Sequence, residues 1–184
     1  MGYSVGDIPM VRSRGKRDDI YFEQRTGIFI DVQNMFYSAK YKYRAKIDYH
    51  KLLIHIAQGR KVVRALAYVV TTPEINQSAF IQLLGDIGIE VKSKELKLRP
   101  DGTAKGDWDM GIAIDTISMC DKLDVVAIVS GDGDFAALVE MLKAKGVRVE
   151  VYSFPANTAE ELKNAATFFY PLDESILFGG KSQD

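Results

Sequence analysis

Apolar residues along this chain fall into short unbroken runs separated by stretches with helical spacing, and that alternation defines the expected fold. Gly27-Ile28-Phe29-Ile30 is a compact run that stops at Asp31. Val62 to Val70 is longer and rich in branched side chains, and Ile89 to Lys94 is shorter. Val125 to Val129 is wholly apolar, Val147 to Tyr152 follows, and Thr167 to Tyr170 is a last candidate strand. Continuous apolar runs of this kind suit strands covered on both faces. Helical patterns lie between them, at 33–40, 48–58, Pro73 to Asp86, Asp107 to Asp121, Asp134 to Lys145 and 158–164. Pro73 suits a first helical turn, and Gly146 is a stop signal. Residues 95–106 contain Pro100-Asp101-Gly102 and read as a loop. Strands alternating with helices imply right-handed crossovers and a parallel sheet. The predicted fold is a three-layer α/β/α domain with a central, mainly parallel sheet.

Residues 1–25 are expected to form a flexible polar arm with a basic cluster at Arg12, Arg14, Lys16 and Arg17, ahead of a domain at 26–172 and a tail at 173–184. With 184 residues, 47% of them apolar and 27% charged, the chain suits one soluble domain with a real core. No run is long enough to span a membrane, and the N-terminus lacks the apolar core of a secretory signal. Cys120 is the sole cysteine, so no disulfide framework exists. The expected location is cytoplasmic. The only histidines are His50 and His55, which argues against zinc.

A net charge of −1 conceals an asymmetry. Residues 1–100 hold 17 basic and 10 acidic side chains, or +7, whereas residues 101–184 hold 7 and 15, or −8. Either the halves neutralise each other across one fold, or a polyanion-binding surface adjoins a metal site.

The acids suggest where such a site lies. Ligands of an open parallel sheet bind at the carboxyl ends of its strands. Asp31 ends the first strand, and Asp132 and Asp134 follow the 125–130 run in Ser130-Gly131-Asp132-Gly133-Asp134-Phe135. The long excursion from the first strand to residue 94 and back suggests a change of strand order that sets these two strands side by side. The segment Lys105 to Asp115 (KGDWDMGIAID) supplies a third contributor. Its apolar stripe, Met110, Ala113, Ile114 and Ile117, is expected to face the core. Asp107 and Asp109 flank that stripe, so either reaches the sheet edge, while Asp115 points away to solvent or a local ion pair. Each acid also has a plain structural use, Asp107 or Asp134 as an N-cap and Asp132 in an Asx-turn. As a set they behave differently. Two carboxylates about 4 Å apart repel by roughly 4 kcal/mol at an effective dielectric near 20. No Lys or Arg lies within SGDGDF to relieve this. A hard divalent cation, Mg²⁺ or Mn²⁺, is the natural partner. Gly131 and Gly133 are expected to permit a tight turn and close approach of a ligand to the backbone.

Phe29 to Asn34 (FIDVQN), KGDWDMGIAID and SGDGDF, in this order and on these elements, resemble the NYN domain, and within it the LabA-like branch of the PIN-like, or FLAP-nuclease-like, superfamily. The resemblance covers about residues 26–172. It implies a PIN-like fold with acids gathered at the carboxyl edge of the sheet, binding of Mg²⁺ or Mn²⁺, and metal-dependent endoribonuclease activity on RNA phosphodiesters. By position it implies metal-binding and catalytic roles for Asp31, Asp109, Asp132 and Asp134, a catalytic role for Asn34, and a bracing role for Ser130. Asp107 competes with Asp109 because the segment reads Lys-Gly-Asp-Trp-Asp. Where many relatives carry a further acid before the last strand, this chain has Ala165-Ala166-Thr167.

RNA, single-stranded, is the expected partner. Lys40, Lys42 and Arg44 alternate with Tyr41 and Tyr43, and Lys97, Arg99 and Lys105 lead into the acidic helix. Such lysines track phosphates and such tyrosines either stack on bases or pack on the core. Exposed sheet edges leave room for a homo-oligomer, and no stretch demands one. The competing functions are an RNA-, nucleotide- or protein-binding regulatory domain and a phosphohydrolase acting on small phosphates. Asp31 is followed by Val32-Gln33-Asn34, which departs from the Asp-x-Asp-Gly-Thr signature of haloacid dehalogenases. There is no Gly-x-x-x-x-Gly-Lys-Ser/Thr, and no Gly-x-Gly-x-x-Gly after the first strand.

Overall fold

A computed structural model of the chain describes residues 23–98, 104–105 and 107–179. The expected basic arm lies outside the described residues up to position 22, as do Arg99 and the tail beyond 179. Six strands form one sheet: β1 (Arg25–Asp31), β2 (Lys61–Thr71), β3 (Glu90–Glu95), then β6 (Val125–Val129), β7 (Arg148–Ser153) and β8 (Phe168–Pro171). Their order is β3-β2-β1-β6-β7-β8, and every pairing is parallel. The two remaining strands, β4 (Lys97–Leu98) and β5 (Ala104–Lys105), pair antiparallel within the segment expected to be a loop.

The sheet is covered on both faces because its inner strands β1, β6 and β7 are buried almost throughout, whereas the edge strand β3 is mostly polar and only partly buried. Ile28 and Ile30 of β1 belong to one core with Met35 and Ala39 of α1 (Val32–Tyr43), Leu52 and Ile56 of α2 (Tyr49–Ala57) and Leu84 of α3 (Ser78–Asp86). Phe29 points the other way. It joins Ile112 of α4 (Asp109–Met119), Val139 and Leu142 of α5 (Ala136–Ala144) and Leu162 of α6 (Glu160–Ala165). The fold is therefore the three-layer α/β/α arrangement, with a sheet that is wholly rather than mainly parallel.

Strand order reverses between β1 and β6, which are neighbours although they lie far apart in sequence. Helices leave β1 and β6 toward opposite faces, so a crevice opens over their carboxyl ends. Register fixes what meets there. Ile30 pairs with Val129, so the next residues, Asp31 and Ser130, lie side by side.

Several helices differ from their expected limits. Residues 72–75 form a turn closed by the Ile75 N–H to the Thr72 carbonyl at 3.2 Å, with Pro73 in its second position, and α3 begins only at Ser78. The segment after β6 opens with a 3-10 turn, Gly133–Phe135, before α5. The cap of that turn is Asp132, whose side chain accepts from the Asp134 N–H, so Asp134 is not an N-cap. Helix α4 starts at Asp109 with Trp108 at its cap position, and Asp107 therefore precedes the helix without capping it.

Of the expected core stripe of α4 only Ala113 packs against the core. Met110, Ile114 and Ile117 are exposed, while Ile112 and Thr116 are buried. Asp115 faces the sheet rather than away from it. It accepts from the Tyr68 hydroxyl at 2.8 Å and pairs with the Lys92 ammonium at 2.7 Å. Helix α4 carries apolar residues nearly all round, so two stripes had suitable spacing. A polar anchor at Tyr68 and Lys92, together with Trp108, selects the one that faces inward.

Candidate metal centre and its cleft

Three elements deliver carboxylates to the carboxyl edge. Asp31 is the last residue of β1 and the N-cap of α1, so its position follows from strand and helix together. Its Oδ1 accepts from the Asn34 N–H at 3.1 Å and its Oδ2 from the Ser130 hydroxyl at 3.1 Å. Ser130 is fully buried and its Oγ also accepts from the Asp132 N–H at 3.2 Å. Ser130 thus joins the end of β1 to the acidic turn. Asn34 makes a second tie, its side-chain oxygen accepting from the Gly131 N–H at 2.9 Å.

The glycines of this turn have a different cause from the one expected. Neither Gly131 nor Gly133 has a positive φ. A Cβ on Gly131 would run into the Asn157 carbonyl, and one on Gly133 would run into the Glu161 side chain. The 157–161 segment of the chain itself therefore fills the space that a side chain would need.

Trp108 seats the third element. Its indole N–H donates to the Val69 carbonyl at 3.0 Å, and its ring lies 5.4 Å from that of Tyr68. Gly111 has no side chain to collide with that ring, since a Cβ there would lie 2.5 Å from it. Pinned at the end of β2, the start of α4 holds Asp109 against the turn after β6. One oxygen each from Asp109, Asp132 and Asp134 lie within 4.8 Å of one another. Asp31 and Asp107 line the same cleft as Asp109 and Asp132 but stand outside that close group.

Electrostatics reflect the crowding. Burial and then Asp132, Asp31, Asp107 and Asp134 push the Asp109 carboxyl up to about 6. Burial raises Asp31 as well, with Asp132 adding to the shift, while the hydrogen bonds from Asn34 and Ser130 oppose it. Among the described residues none of these acids forms an ion pair with Lys or Arg. Oxygen-only donors, concentrated negative charge and the lack of a described cationic partner fit a hard divalent cation.

The cleft measures about 380 Å³. Gln33, Asn34, Tyr37, Ser38 and Tyr41 form its α1 wall, and Asp107, Trp108 and Asp109 its α4 wall, with Asn157 at one side. Of these, Gln33, Tyr37, Ser38, Trp108 and Asn157 were not singled out from the sequence. Tyr37 was legible in principle, because it precedes Tyr41 by one helical turn. Tyr43 separates from this group, its ring packing 5.1 Å from that of Phe154 against the core. Lys40, Lys42 and Arg44 are exposed at the C-terminal end of α1. Lys97 and Lys105 pair across the β4–β5 ladder, and their side chains lie outside the described residues.

The three-layer parallel sheet with acids at the β1–β6 switch fits a PIN-like domain, and the chain belongs to the NYN family, whose domain matches residues 25–173. Among particular relatives, the low amplitude and bright protein LabA of Synechococcus elongatus is 30% identical over 167 residues, covering 86% of this chain and 89% of the relative. A crystal structure of a Vibrio parahaemolyticus protein of unknown function is 37% identical, with a TM-score of 0.79 over 85% of this chain and 97% of that one. Among the described residues no helix is long and apolar enough to cross a membrane.

Proposed function

We propose that this protein is a metal-dependent ribonuclease that hydrolyses phosphodiester bonds of single-stranded RNA. The observation that carries the reading is the convergence of Asp109, Asp132 and Asp134 within 4.8 Å at the edge of an open cleft. Membership of the NYN family supplies the nucleic-acid class of substrate.

Asp109, Asp132 and Asp134 would hold Mg²⁺ or Mn²⁺, with Asp31 beside them. Such a cation, when bound, would supply charge neutralisation at the phosphate and activation of a water for in-line attack on phosphorus. The protein's own groups do the positioning. Asp31 is locked by Asn34 and Ser130, so its carboxylate stays fixed as the substrate enters. Asn34 anchors its oxygen on Gly131, which leaves its amide NH₂ as the donor for a water or a phosphate oxygen. Ser130 holds the Asp132 backbone and thereby the aim of the acidic turn. Lys40, Lys42 and Arg44, exposed at the C-terminal end of α1, neutralise flanking phosphates, and the sequence offers Lys97, Arg99 and Lys105 for the same task, so RNA affinity falls as salt rises. No histidine or lysine base is needed.

The test is incubation of end-labelled single-stranded RNA with the protein and Mn²⁺ or Mg²⁺, beside Asp132→Asn and an EDTA control. Cleavage that requires both the metal and Asp132 supports the reading. Cleavage that persists unchanged in the variant, or absence of cleavage across both metals and several RNA lengths, removes it. Retained RNA affinity without turnover would instead indicate an RNA-binding regulatory domain.

A further inference from the structure

One wall of the cleft has more aromatic surface than an acidic metal site requires. Phe36, Tyr37 and Tyr41 on α1 are 46%, 43% and 73% exposed. Aromatic rings contribute most to stability when buried, so a contiguous exposed row indicates a contact surface. Tyr37 and Tyr41 are one helical turn apart, and their rings lie 5.8 Å apart at an interplanar angle of 14°. Phe36 meets the edge of this pair, with its centroid 5.4 Å from that of Tyr37. Both tyrosines line the cleft that holds Asp31, Asp109 and Asp132. From Asn34, which is tied to the acidic turn, to Tyr41 the helix advances about 10 Å at 1.5 Å per residue.

We propose that Tyr37 and Tyr41 form a base-stacking platform on α1 that makes the cleft selective for unpaired RNA; the inference rests on the nuclease reading and specifies its substrate. A nucleobase laid on the free face of Tyr41 extends the existing tyrosine stack by one ring. Lys40 and Lys42, exposed on the same helix and without an ion pair among the described residues, neutralise the phosphates of that strand. A duplex hides its base faces within its own stack and presents only grooves and backbone, so it gains nothing from the platform. Stacking is also indifferent to base identity, which predicts broad sequence tolerance. Phosphate contacts then hold the strand, and the stacked base fixes where along it the acids lie.

The test uses a short fluorescein-labelled oligouridylate and a duplex of matched length. Anisotropy is measured in Ca²⁺, and cleavage in Mn²⁺. Tyr41→Ala is expected to weaken single-strand affinity by about five- to 150-fold, the range given by loss of one stacked base. Tyr37→Ala is expected to act in the same direction and less strongly. Tyr41→Phe keeps the ring and stays within about twofold of wild type. Duplex affinity and thermal stabilisation by Mn²⁺ are unchanged in all three variants, which separates the platform from the metal centre and from misfolding. If wild type cleaves single strands while Tyr37→Ala and Tyr41→Ala bind them as tightly as wild type, the platform is wrong and the row is a protein-contact surface. Equal wild-type affinity for single strand and duplex also overturns it. A wild-type protein that neither binds nor cleaves RNA overturns the nuclease reading first, and the platform with it.

Discussion

Replacing Asp109 with Asn should stabilise the protein in chelator and destabilise it, relative to wild type, in saturating Mn²⁺. The carboxylate oxygens of Asp109, Asp132 and Asp134 lie within 4.8 Å of one another. At that separation and an effective dielectric near 20, each charged pair repels by about 3 kcal/mol. The rise of the Asp109 carboxyl from 3.8 to about 6 gives a similar ceiling of about 3 kcal/mol at 1.36 kcal/mol per pH unit. Asp109 is only partly buried, so solvent screening reduces the useful figure to about 1–1.5 kcal/mol. Asn has nearly the same shape and no charge. In EDTA near neutral pH the variant should therefore melt about 2–6 °C above wild type. In Mn²⁺ at a hundredfold its dissociation constant, wild type gains about 2.7 kcal/mol, and the variant, short of one anionic ligand, gains much less. Thermal unfolding by circular dichroism in both buffers reads the crossover. A variant less stable than wild type in EDTA would refute the argument, because it would mean that the carboxylate is already compensated in the free protein. Equal Mn²⁺ responses would refute its role as a ligand.

The same crowding sets an unusual pH dependence. The folded-state values of Asp109 and Asp31 are both raised, so ionising them opposes folding. In chelator the destabilising effect of Asp109 is present above about pH 6 and is relieved as pH falls from about 6 toward 3.8, with Asp31 acting in the same direction, and Asp109→Asn should flatten that part of a urea-unfolding series. Gly131→Ala should cost about 1–3 kcal/mol in urea unfolding and weaken Mn²⁺ binding, because its Cβ meets the Asn157 backbone. Gly133→Ala should be milder, since the flexible end of Glu161 can swing aside. Arg60→Met removes the partner of Glu150 at a pair that is 1% exposed on both sides, and Arg148 at 2.8 Å offsets only part of the loss. A destabilisation of about 2–4 kcal/mol is expected by chemical denaturation, with the Mn²⁺ response intact.

The fold was readable because its inner strands are buried on both faces and hence continuous in sequence. The neighbouring of β1 and β6 followed from counting crossovers, and it is what brings Asp31 next to Ser130. Local spacing was less informative where two solutions were equally regular. Met110, Ile114 and Ile117 satisfy the helical period as well as Ile112 and Thr116 do, and the choice is made by Tyr68 and Lys92, which come from other strands. Gly131 and Gly133 looked like turn residues, yet their neighbours Asn157 and Glu161 lie more than twenty residues downstream. Asp109 separates from Asp107 because Trp108 anchors on the Val69 carbonyl, a contact that no spacing rule contains. Tyr41 and Tyr43 read alike in sequence, and only the placement of Phe154 distinguishes the ring that packs from the ring left open.

The pairing of β1 with β6 also shapes how the chain is made. While a ribosome has delivered only the first half, β3, β2 and β1 can associate, but Ile28, Phe29 and Ile30 present an unpaired edge until residues 125–129 emerge. An apolar parallel edge of this kind invites pairing with another nascent chain, so polysomes are where aggregation is most favoured. Slow translation between residues 95 and 125 would lengthen that exposure, and a chaperone holding the β1 edge would shorten it. The same geometry makes the protein divisible, with one half carrying Asp31 and Asn34 and the other Asp109, Asp132 and Asp134. Neither fragment holds the whole acidic edge, which is rebuilt only when β1 and β6 find each other.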